Sequence, residues 1–407
     1  QMKAERNFAK VTVTDKGARW LGGGHPWLYE SDIAHTDPDA PNGGLVDVVS
    51  GKEKYIGTGF LSEASKIRVR LISRNANDRF DADFWRRRAE YAWNYRLRVM
   101  GDGICACRVI FGESDGFPGL TVDRFGDILV SQITSYGMEM IKDTVYRVLT
   151  EVIRASGETV NGIFERNDLA LRTREGLEEG KGWYRAEWLP EPGGTSTEIT
   201  ENGIKYFVDF ENGQKTGFFL DQKFNRLAVA RLSHGLRVLD CCTHTGSFAL
   251  NAARGGAAAV TAVDISEDAL SVARKNAAMN GLDGIIDFRA ADIFDFLPTV
   301  TRGEYDMVIL DPPAFTKSRR TVDNAFRGYR EINTRAMRAL PRGGYFATCS
   351  CSHFMPNPLF VTMLGEAARD ADVGLRQIEV RQQACDHPIL WNVPETDYLK
   401  FYIFQVV

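Results

Sequence analysis

Arg237-Val-Leu-Asp-Cys-Cys-Thr-His-Thr-Gly246 is the stretch that decides the fold. Its first five residues form a short apolar run typical of a buried strand, and Cys242–Gly246 predicts a tight turn. Ser247–Arg254 then has helical spacing, and Val260–Asp264 predicts a second strand that ends in a carboxylate. A strand, a turn, a helix and a second strand with a terminal acid are typical of one half of a nucleotide-binding α/β sheet.

The single glycine of this turn limits the class of ligand that can bind there. A dinucleotide fingerprint needs three glycines, because the backbone must closely approach a pyrophosphate. Here only Gly246 is present, and threonines occupy the other places. A ligand without a phosphate at this point fits better, so we favour S-adenosylmethionine over a nicotinamide dinucleotide. Taken alone, the pattern is also that of any doubly wound domain.

Length and composition bound the class of protein. The chain has 407 residues, for which two or three domains are expected, and 44% of them are hydrophobic, as in ordinary globular proteins. No apolar run approaches the length of a membrane span and no signal-peptide pattern opens the chain, so we expect a cytoplasmic protein without membrane contact. The seven cysteines lack zinc-ligand spacing, which predicts reduced thiols and no metal site.

Strand and turn signals divide the chain into three predicted domains. Residues 1–74 carry short strands typical of a small, strongly bent β-barrel, and residues 75–195 form a central α+β domain whose end, Gly180–Thr197, is predicted as a linker. In residues 196–407 strands and helices alternate, which predicts a mainly parallel sheet of the class I methyltransferase type with an antiparallel last strand. Its strands are predicted at 237–241, 259–265, 285–291, 305–311, 345–351, 375–383 and 398–406.

Basic and aromatic residues near the N-terminus are candidates for contact with RNA. Arg19, His25 and Trp27 cluster around a glycine-rich loop, where they predict either an RNA-contacting surface or a barrel with a half-buried tryptophan. Lys66–Arg98 is locally basic, although the net charge of the chain is −4. This segment is either a polyanion-binding face or a solvated helix face.

Acidic residues follow three successive predicted strands, where doubly wound sheets bind their ligands. Asp264 would accept both ribose hydroxyls and Asp292 the adenine amine, while Ile265 and Ile293 would provide apolar walls for the ring. Lys215, just before the first helix of the sheet, could pair with the methionine carboxylate. The full set predicted to contact the cofactor is Lys215, Phe219, Asp240, Thr243, Thr245, Gly246, Asp264, Ile265, Asp292, Ile293, Asp311 and Pro312.

The motif Asp311-Pro-Pro-Ala-Phe315 predicts a functional site more specifically than a single acidic residue does. Two prolines make the backbone rigid immediately after a strand, which would hold the Asp311 side chain and the Pro312 carbonyl toward a methyl donor. Pro313 and Phe315 are then candidates to contact a flipped base, with Phe315 stacking on it. The alternative is that the prolines simply terminate the strand.

Cys351 is the candidate nucleophile. Carbon 5 of a pyrimidine is not nucleophilic until a thiolate adds at carbon 6, and a cysteine at a strand end opposite the cofactor could do this. His353 and Lys317 are candidates to lower its pKa or act as the base, and Asp311 could hold the cytosine ring. Cys349 is either a second thiol for breakdown of the intermediate or, as we favour, a core residue. The alternative for Cys351 is a buried, inert thiol.

These motifs together resemble the bacterial large-subunit (23S) ribosomal RNA methyltransferase I family of cytosine-5 methyltransferases. The resemblance covers nearly the whole chain and implies an N-terminal PUA domain, S-adenosylmethionine as cofactor and a cytosine of large-subunit ribosomal RNA as substrate. It places Cys351 on the proposed nucleophile and Asp311 on the catalytic-motif acid. The matching motifs span Gly24–Tyr29, Gly213–Gln222, Leu239–Gly246, Asp311–Phe315, Arg327–Asn333, Ser350–His353, Asp386–Pro388 and Tyr398–Lys400.

Two other functions remain open at this point. An N-methyltransferase acting on guanine or adenine needs the Asp-Pro-Pro corner but no thiol. A non-catalytic RNA-binding assembly factor could keep the same fold, although intact acids at the cofactor site argue against that. The oligomeric state is also open, with a homodimer as one option.

Overall fold

The computed structural model describes residues 7–315 and 321–407. Internal contacts divide the chain into two compact units. The first unit comprises the chain up to Thr197 together with Val208–Leu220 and Cys385–Thr396. The second unit comprises Glu198–Phe207, Asp221–Ala384 and Asp397–Val407. The division into three domains stays a prediction.

The N-terminal part of the first unit is a six-stranded sheet with one helix. Its elements are β1 (Ala9–Val13), α1 (Asp15–Gly22), β2 (Trp27–Tyr29), β3 (Ile33–Thr36), β4 (Leu45–Ser50), β5 (Tyr55–Leu61) and β6 (Ile67–Ser73). The strand order is β2-β6-β5-β4-β1-β3, and only β1 and β4 pair in parallel. Alternate residues Val11, Val46 and Val48 point into one apolar core, as the period of two in a strand requires. The predicted strand-rich N-terminal domain is confirmed.

The remainder of the first unit is built on a five-stranded sheet. Its elements are α2 (Ala82–Met100), β7 (Ala106–Phe111), β8 (Leu120–Phe125), β9 (Ile128–Ile133), α3 (Tyr136–Ala155), β10 (Gly162–Asn167), α4 (Ala170–Thr173) and β11 (Gly180–Trp183), with strand order β11-β10-β9-β8-β7. The prediction of a linker over Gly180–Thr197 was wrong for its first residues. Gly180–Trp183 pairs with β10, and the Trp183 ring packs perpendicular to Phe164 at 5.3 Å, so an aromatic anchor outweighs the low strand propensity of two glycines.

Three arginines of α2 form hydrogen bonds or ion pairs within the first unit. Arg96 is fully buried and binds Asp115 through both guanidinium ends at 2.5 and 2.8 Å. Arg88 donates to the backbone carbonyls of Gly116 and of Ile72 in β6, and Arg86 pairs with Glu151. These three charges already have partners, whereas Arg87 and Arg98 of the same helix are exposed, so a polyanion-binding face along α2 stays a prediction.

The second unit contains a seven-stranded sheet with helices between its strands. A hairpin of β12 (Ser196–Glu201) and β13 (Ile204–Asp209) precedes it. The elements that follow are α5 (Lys223–Leu232), β14 (Arg237–Cys241), α6 (Ser247–Arg254), β15 (Ala259–Asp264), α7 (Glu267–Met279), β16 (Ile286–Ala290), α8 (Ile293–Phe296), β17 (Met307–Leu310), α9 (Val322–Ala339), β18 (Tyr345–Ser350), α10 (Asn357–Ala371), β19 (Leu375–Arg381) and β20 (Lys400–Val406). All seven predicted strands are present, with bounds within two residues of those predicted.

The strand order of this sheet positions the site. The order is β16-β15-β14-β17-β18-β20-β19, in which β14 to β18 run parallel and β20 is antiparallel to both of its neighbours. From β14 the sheet is extended on one side by β15 and β16 and on the other side by β17 and β18. Such folds bind ligands where the order of strands reverses, which here is the crevice beyond the carboxyl ends of β14 and β17. No helix in the described part of the chain is both long and apolar enough to span a bilayer.

Candidate active site

The turn after β14 has an unusual backbone that requires its glycine. Cys242, His244 and Gly246 have φ values of 60°, 53° and 83°, so three residues of a five-residue turn lie in the left-handed region. A Cβ at Gly246 would lie 3.1 Å from Cβ of Ala273 on α7, which leaves little room for any side chain. Glycine therefore permits both the turn and the close approach of α7.

Asp240, at the end of β14, has one carboxylate oxygen that is buried and unused. Its Oδ2 accepts hydrogen bonds from Thr243 Oγ1 at 2.6 Å and from the Ala249 amide at 2.9 Å. Its Oδ1 accepts none from the residues that the structure describes. Burial raises the pKa of Asp240 to about 7, and the charges of Asp311 and Asp264 add to this effect. A buried carboxylate oxygen that accepts no hydrogen bond and belongs to a group with a raised pKa fits a cationic partner, such as the ammonium group of S-adenosylmethionine.

The residues predicted to contact adenosine lie at or just beyond the carboxyl ends of β15 and β16. The Asp264 carboxylate accepts the His244 amide at 2.8 Å and the Ser266 amide at 2.9 Å, so it joins the turn to the next helix. Ile265 beside it is 73% exposed, as expected of an apolar wall that a bound ring would cover. Asp292 is exposed and caps α8, whereas Ile293 lies in the core. Their contacts with the cofactor stay predictions.

A buried cluster fixes Asp311 at the end of β17. Its Oδ1 accepts the Cys349 thiol at 2.9 Å and lies 3.5 Å from Nε2 of Gln222. The Gln222 amide is in turn held by Asn225, which donates to its Oε1 at 2.6 Å. Gln222 belongs to the Gly213–Gln222 motif but could not be assigned to the site from sequence, because only the folded sheet brings it to the strand end.

The residues after Asp311 are placed on the rim of the core. Pro312 is buried and Pro313 is exposed. The Phe315 ring packs on Tyr329 at 4.6 Å and on Phe294 at 5.9 Å, and it is half-buried. The roles of Pro313 and Phe315 toward a base stay predictions. The predicted helper Lys317 lies outside the described residues.

Burial decides which thiols of the sheet stay protonated. It is the first cause that raises the pKa of Cys241, Cys242 and Cys349 well above the ordinary value for a thiol. These three are therefore poor nucleophiles at neutral pH. Cys351 differs from them in lying half-buried just beyond the last residue of β18.

Lys400, the last residue of the Tyr398–Lys400 motif, is a functional candidate to which no role could be assigned from sequence. It opens β20 and pairs with Ser350 in the antiparallel register. Its Nζ donates to the Ser352 carbonyl at 2.6 Å and to the Tyr398 carbonyl at 2.8 Å. His353, the other predicted helper, is exposed. Only the antiparallel insertion of β20 beside β18 places a lysine from the chain terminus next to Cys351.

The N-terminal candidates for RNA contact divide into buried and exposed residues. His25 is buried, bonds Glu395 at 3.0 Å and stacks on Trp20 at 4.6 Å. Trp27 is half-buried and donates through Nε1 to Glu113 at 2.8 Å. Arg19 is exposed on α1. Trp27 is thus the half-buried tryptophan of the alternative without RNA contact. Contact of Arg19, His25 and Trp27 with RNA stays a prediction.

Two further features of the first unit concern ligand contact. Trp391 is 97% exposed, and the neighbouring Asn392 donates to the Gly24 carbonyl of the glycine-rich loop. No sequence motif pointed to Trp391. Lys215 and Phe219 also belong to the first unit, where the Lys215 ammonium lies 5.0 Å from the Phe219 ring centre. Their contact with the cofactor stays a prediction.

Family models and known relatives agree with this geometry. A model of S-adenosylmethionine-dependent methyltransferases matches residues 171–404, and a model of the PUA-like domain matches residues 11–74. Ribosomal RNA large subunit methyltransferase I of Klebsiella pneumoniae (strain 342) is 38% identical over 94% of each chain. The protein of that name from Escherichia coli O157:H7 is 37% identical over 94% of this chain and 96% of its own.

Solved structures show the same fold over the whole chain. A protein from Streptococcus mutans described as a SAM-dependent methyltransferase superposes with a TM-score of 0.81 at 21% identity, covering 98% of this chain and 100% of its own. A methyltransferase, SMU.776, complexed with SAH superposes with a TM-score of 0.80, the same coverage and 21% identity.

Proposed function

The chain belongs to the S-adenosylmethionine-dependent methyltransferases, in the family of ribosomal RNA large subunit methyltransferase I, and we propose that it methylates carbon 5 of a cytosine in large-subunit ribosomal RNA. One observation carries the choice of carbon 5. Asp311 and Cys351 immediately follow the adjacent parallel strands β17 and β18, so a fixed carboxylate and a half-buried thiol stand just beyond neighbouring strand ends. N-methylation of a base requires no such thiol.

The thiol makes carbon 5 reactive. The Cys351 thiolate adds to carbon 6 of the cytosine, and the electron pair of the C5–C6 double bond becomes available at carbon 5. S-adenosylmethionine, when bound, would supply an electrophilic methyl group to carbon 5 and would be left as S-adenosylhomocysteine. After carbon 5 has taken the methyl group, a base removes the carbon 5 proton, the double bond re-forms and the thiolate leaves carbon 6.

Other residues of the site bind and orient. Asp311 would accept a hydrogen bond from the exocyclic amine of the cytosine, while Cys349 and Gln222 fix its Oδ1. The unused Oδ1 of Asp240 would accept the ammonium group of the cofactor. Ile265 would lie against the adenine ring, because its side chain is otherwise left in solvent.

The choice of ribosomal RNA rests on the relatives and on the N-terminal domain. The relatives that are 37–38% identical are named ribosomal RNA large subunit methyltransferases, and the match with this chain extends over almost all of their length. The first unit also presents an exposed Arg19 and an exposed Trp391, a cation and an aromatic ring of the kind that binds unpaired nucleotides. Ribosomal RNA as substrate would place the protein in the cytoplasm. A homodimer stays a prediction.

Methyl transfer followed by nucleoside analysis tests the proposal. Wild type, Cys351→Ala and the control Cys105→Ala, which removes a half-buried thiol of the first unit, are incubated with labelled S-adenosylmethionine and unmodified large-subunit RNA. We expect label in 5-methylcytosine with wild type and the control, and none with Cys351→Ala. Label in guanine or adenine that does not depend on Cys351 would indicate an N-methyltransferase. Cofactor binding without transfer to any RNA would indicate an assembly factor.

A further inference from the structure

Lys400 carries a buried ammonium group that the fold does not pair with a carboxylate. The residue is 5% exposed, and both of its hydrogen bonds go to backbone carbonyls, those of Ser352 and Tyr398. Within residues 7–315 and 321–407 it forms no ion pair with an acidic side chain. Burying a cation without an opposite charge is costly, so such a lysine is expected to face a negative charge that forms during function.

The thiol of Cys351 is the group best placed to supply that charge. Lys400 pairs with Ser350 in the strand register and binds the carbonyl of Ser352, so it contacts the residues on both sides of Cys351. Burial lowers the pKa of Lys400 to about 8, and among the charges that oppose this effect Cys351 is the strongest, ahead of Asp397 and Cys349.

The charged and titratable groups around Cys351 come from several elements. Cys349 is on its own strand, and Lys400 is on β20. Tyr329 on α9 also interacts with the Cys351 charge, and Asp311 acts on Cys349. Asp311, Asp397 and the two thiols would carry negative charge when ionised, whereas Lys400 carries positive charge when protonated. The exposed His353 lies two residues further along the chain.

We propose that Lys400 is a positioning residue that holds Cys351 as a thiolate by pairing with it as an ammonium ion. The inference rests on the proposed function, in which Cys351 is the nucleophile. In the pairing step the Cys351 thiol releases its proton to water or buffer, and the S⁻ that remains faces the NH₃⁺ group that Lys400 already carries. The same ammonium ion stabilises the thiolate when it leaves carbon 6 at the end of the reaction.

The strand pairing explains why the position is effective. Lys400 is anchored by the antiparallel register of β18 and β20, and two carbonyls orient its nitrogen. An ammonium group has three hydrogens, so one remains for the sulfur after the two carbonyls are bound. A pre-oriented cation stabilises a developing charge without needing to reorganise.

Alkylation of Cys351 as a function of pH tests the pairing directly. Wild type and Lys400→Met are treated with iodoacetamide between pH 6 and pH 10 in the absence of RNA and cofactor, and tandem mass spectrometry locates the label on Cys351. Because only the thiolate reacts, we expect the half-maximal pH to rise by at least about one unit in the variant, which is roughly tenfold slower labelling at pH 7. Lys400→Arg keeps the charge and is expected to retain most of the reactivity.

Matched controls separate the pairing from a general effect on the fold. Lys223→Met removes another buried lysine, whose ammonium packs 5.6 Å from the Phe224 ring, and should leave the profile unchanged. Binding of S-adenosylmethionine verifies that each variant is folded, and Lys400→Gln replaces Lys400→Met where the latter does not fold. An unchanged Cys351 profile in a folded, cofactor-binding neutral variant would overturn the pairing. Since this assay contains no RNA, it is independent of which base is methylated. Methylation that survives Cys351→Ala would overturn only the proposed function.

Discussion

The Sγ atom of Cys349 lies 2.9 Å from Oδ1 of Asp311, so a buried thiol donates a hydrogen bond to the carboxylate at the end of the neighbouring strand. Burial and the adjacent Asp311 both raise the pKa of Cys349 well above that of an ordinary thiol. The thiol therefore keeps its proton at neutral pH and acts as a donor. Cys349 is therefore buried, as expected of the core residue favoured from the sequence, and it also donates this hydrogen bond, while a part for it in the breakdown of an intermediate stays a prediction.

Removing the Cys349 donor should slow the reaction without affecting the cofactor. A hydrogen bond to a charged group is worth about 1.5–3 kcal/mol, so Cys349→Ala should lower kcat by roughly 10- to 100-fold. Cys349→Ser restores a donor and should recover much of the loss. The buried Cys107, which donates to the Ile104 carbonyl in the first unit, provides the control Cys107→Ala. A Cys349→Ala enzyme with wild-type kcat would show that this hydrogen bond does not orient Asp311 for the reaction.

Asp240 predicts a pH dependence of cofactor affinity. Its pKa is raised to about 7 by burial, and the ionised form is the one that would accept the ammonium group. Below pH 7 binding must displace a proton, so the Kd for S-adenosylmethionine should rise by up to about tenfold per pH unit. Calorimetric titration between pH 5.5 and 7.5 measures this. Asp240→Asn should bind more weakly and give a flat profile, and a slope retained in that variant would assign the proton to another group.

The same raised pKa affects the stability of the cofactor-free protein. Its contribution to stability is fully present below the unfolded pKa of about 3.9, and it is lost as the pH rises through about 7, because the folded state then must bury a charge. Bound cofactor offsets this loss by pairing with the carboxylate. Stabilisation by S-adenosylmethionine, measured as the increase in Tm, should therefore be larger at pH 8 than at pH 6. An equal increase at both values would contradict a cation beside Asp240.

The α/β sheet could be predicted from sequence because its signals are local. Buried parallel strands are short apolar runs, and the turn with Gly246 follows directly after one of them, so strand bounds and the cofactor turn follow from neighbouring residues. Lys400 and Gln222 could not be assigned in this way. Each reaches the site only after the sheet has formed, Lys400 through the antiparallel insertion of β20 and Gln222 through contact with Asp311. The inward use of Arg96 is likewise a tertiary effect that overrides the charge pattern of its helix.

Ile265 provides a test of the adenine wall. Its side chain is 73% exposed, so Ile265→Ser should change the free energy of unfolding very little. Covering such a side chain with a ligand ring is worth about 1–2 kcal/mol at roughly 25 cal/mol per Å², so the Kd for S-adenosylmethionine should rise about 5- to 30-fold. Ile378→Ser changes an exposed isoleucine on β19, at the other side of the sheet, and serves as the control. If both variants bind the cofactor as wild type does, the adenine ring lies elsewhere.

Trp391 provides the corresponding test for RNA. Its ring is 97% exposed, yet its loop is held by hydrogen bonds from Val393 to Leu390 and from Thr396 to Val393, so the exposure does not result from a loose segment. Stacking of an unpaired base on such a ring is worth about 1–3 kcal/mol, and Trp391→Ala should therefore weaken RNA binding roughly 5- to 150-fold. The Kd for S-adenosylmethionine should not change, which separates loss of RNA contact from loss of structure. Tyr91→Ala, which removes a ring that is 72% exposed on α2 of the same unit, is the matched control and should bind RNA normally. Equal RNA affinity in Trp391→Ala and wild type, measured by filter binding at a fixed salt concentration, would exclude Trp391 from the RNA-binding surface and leave Arg19 as the exposed residue to examine next.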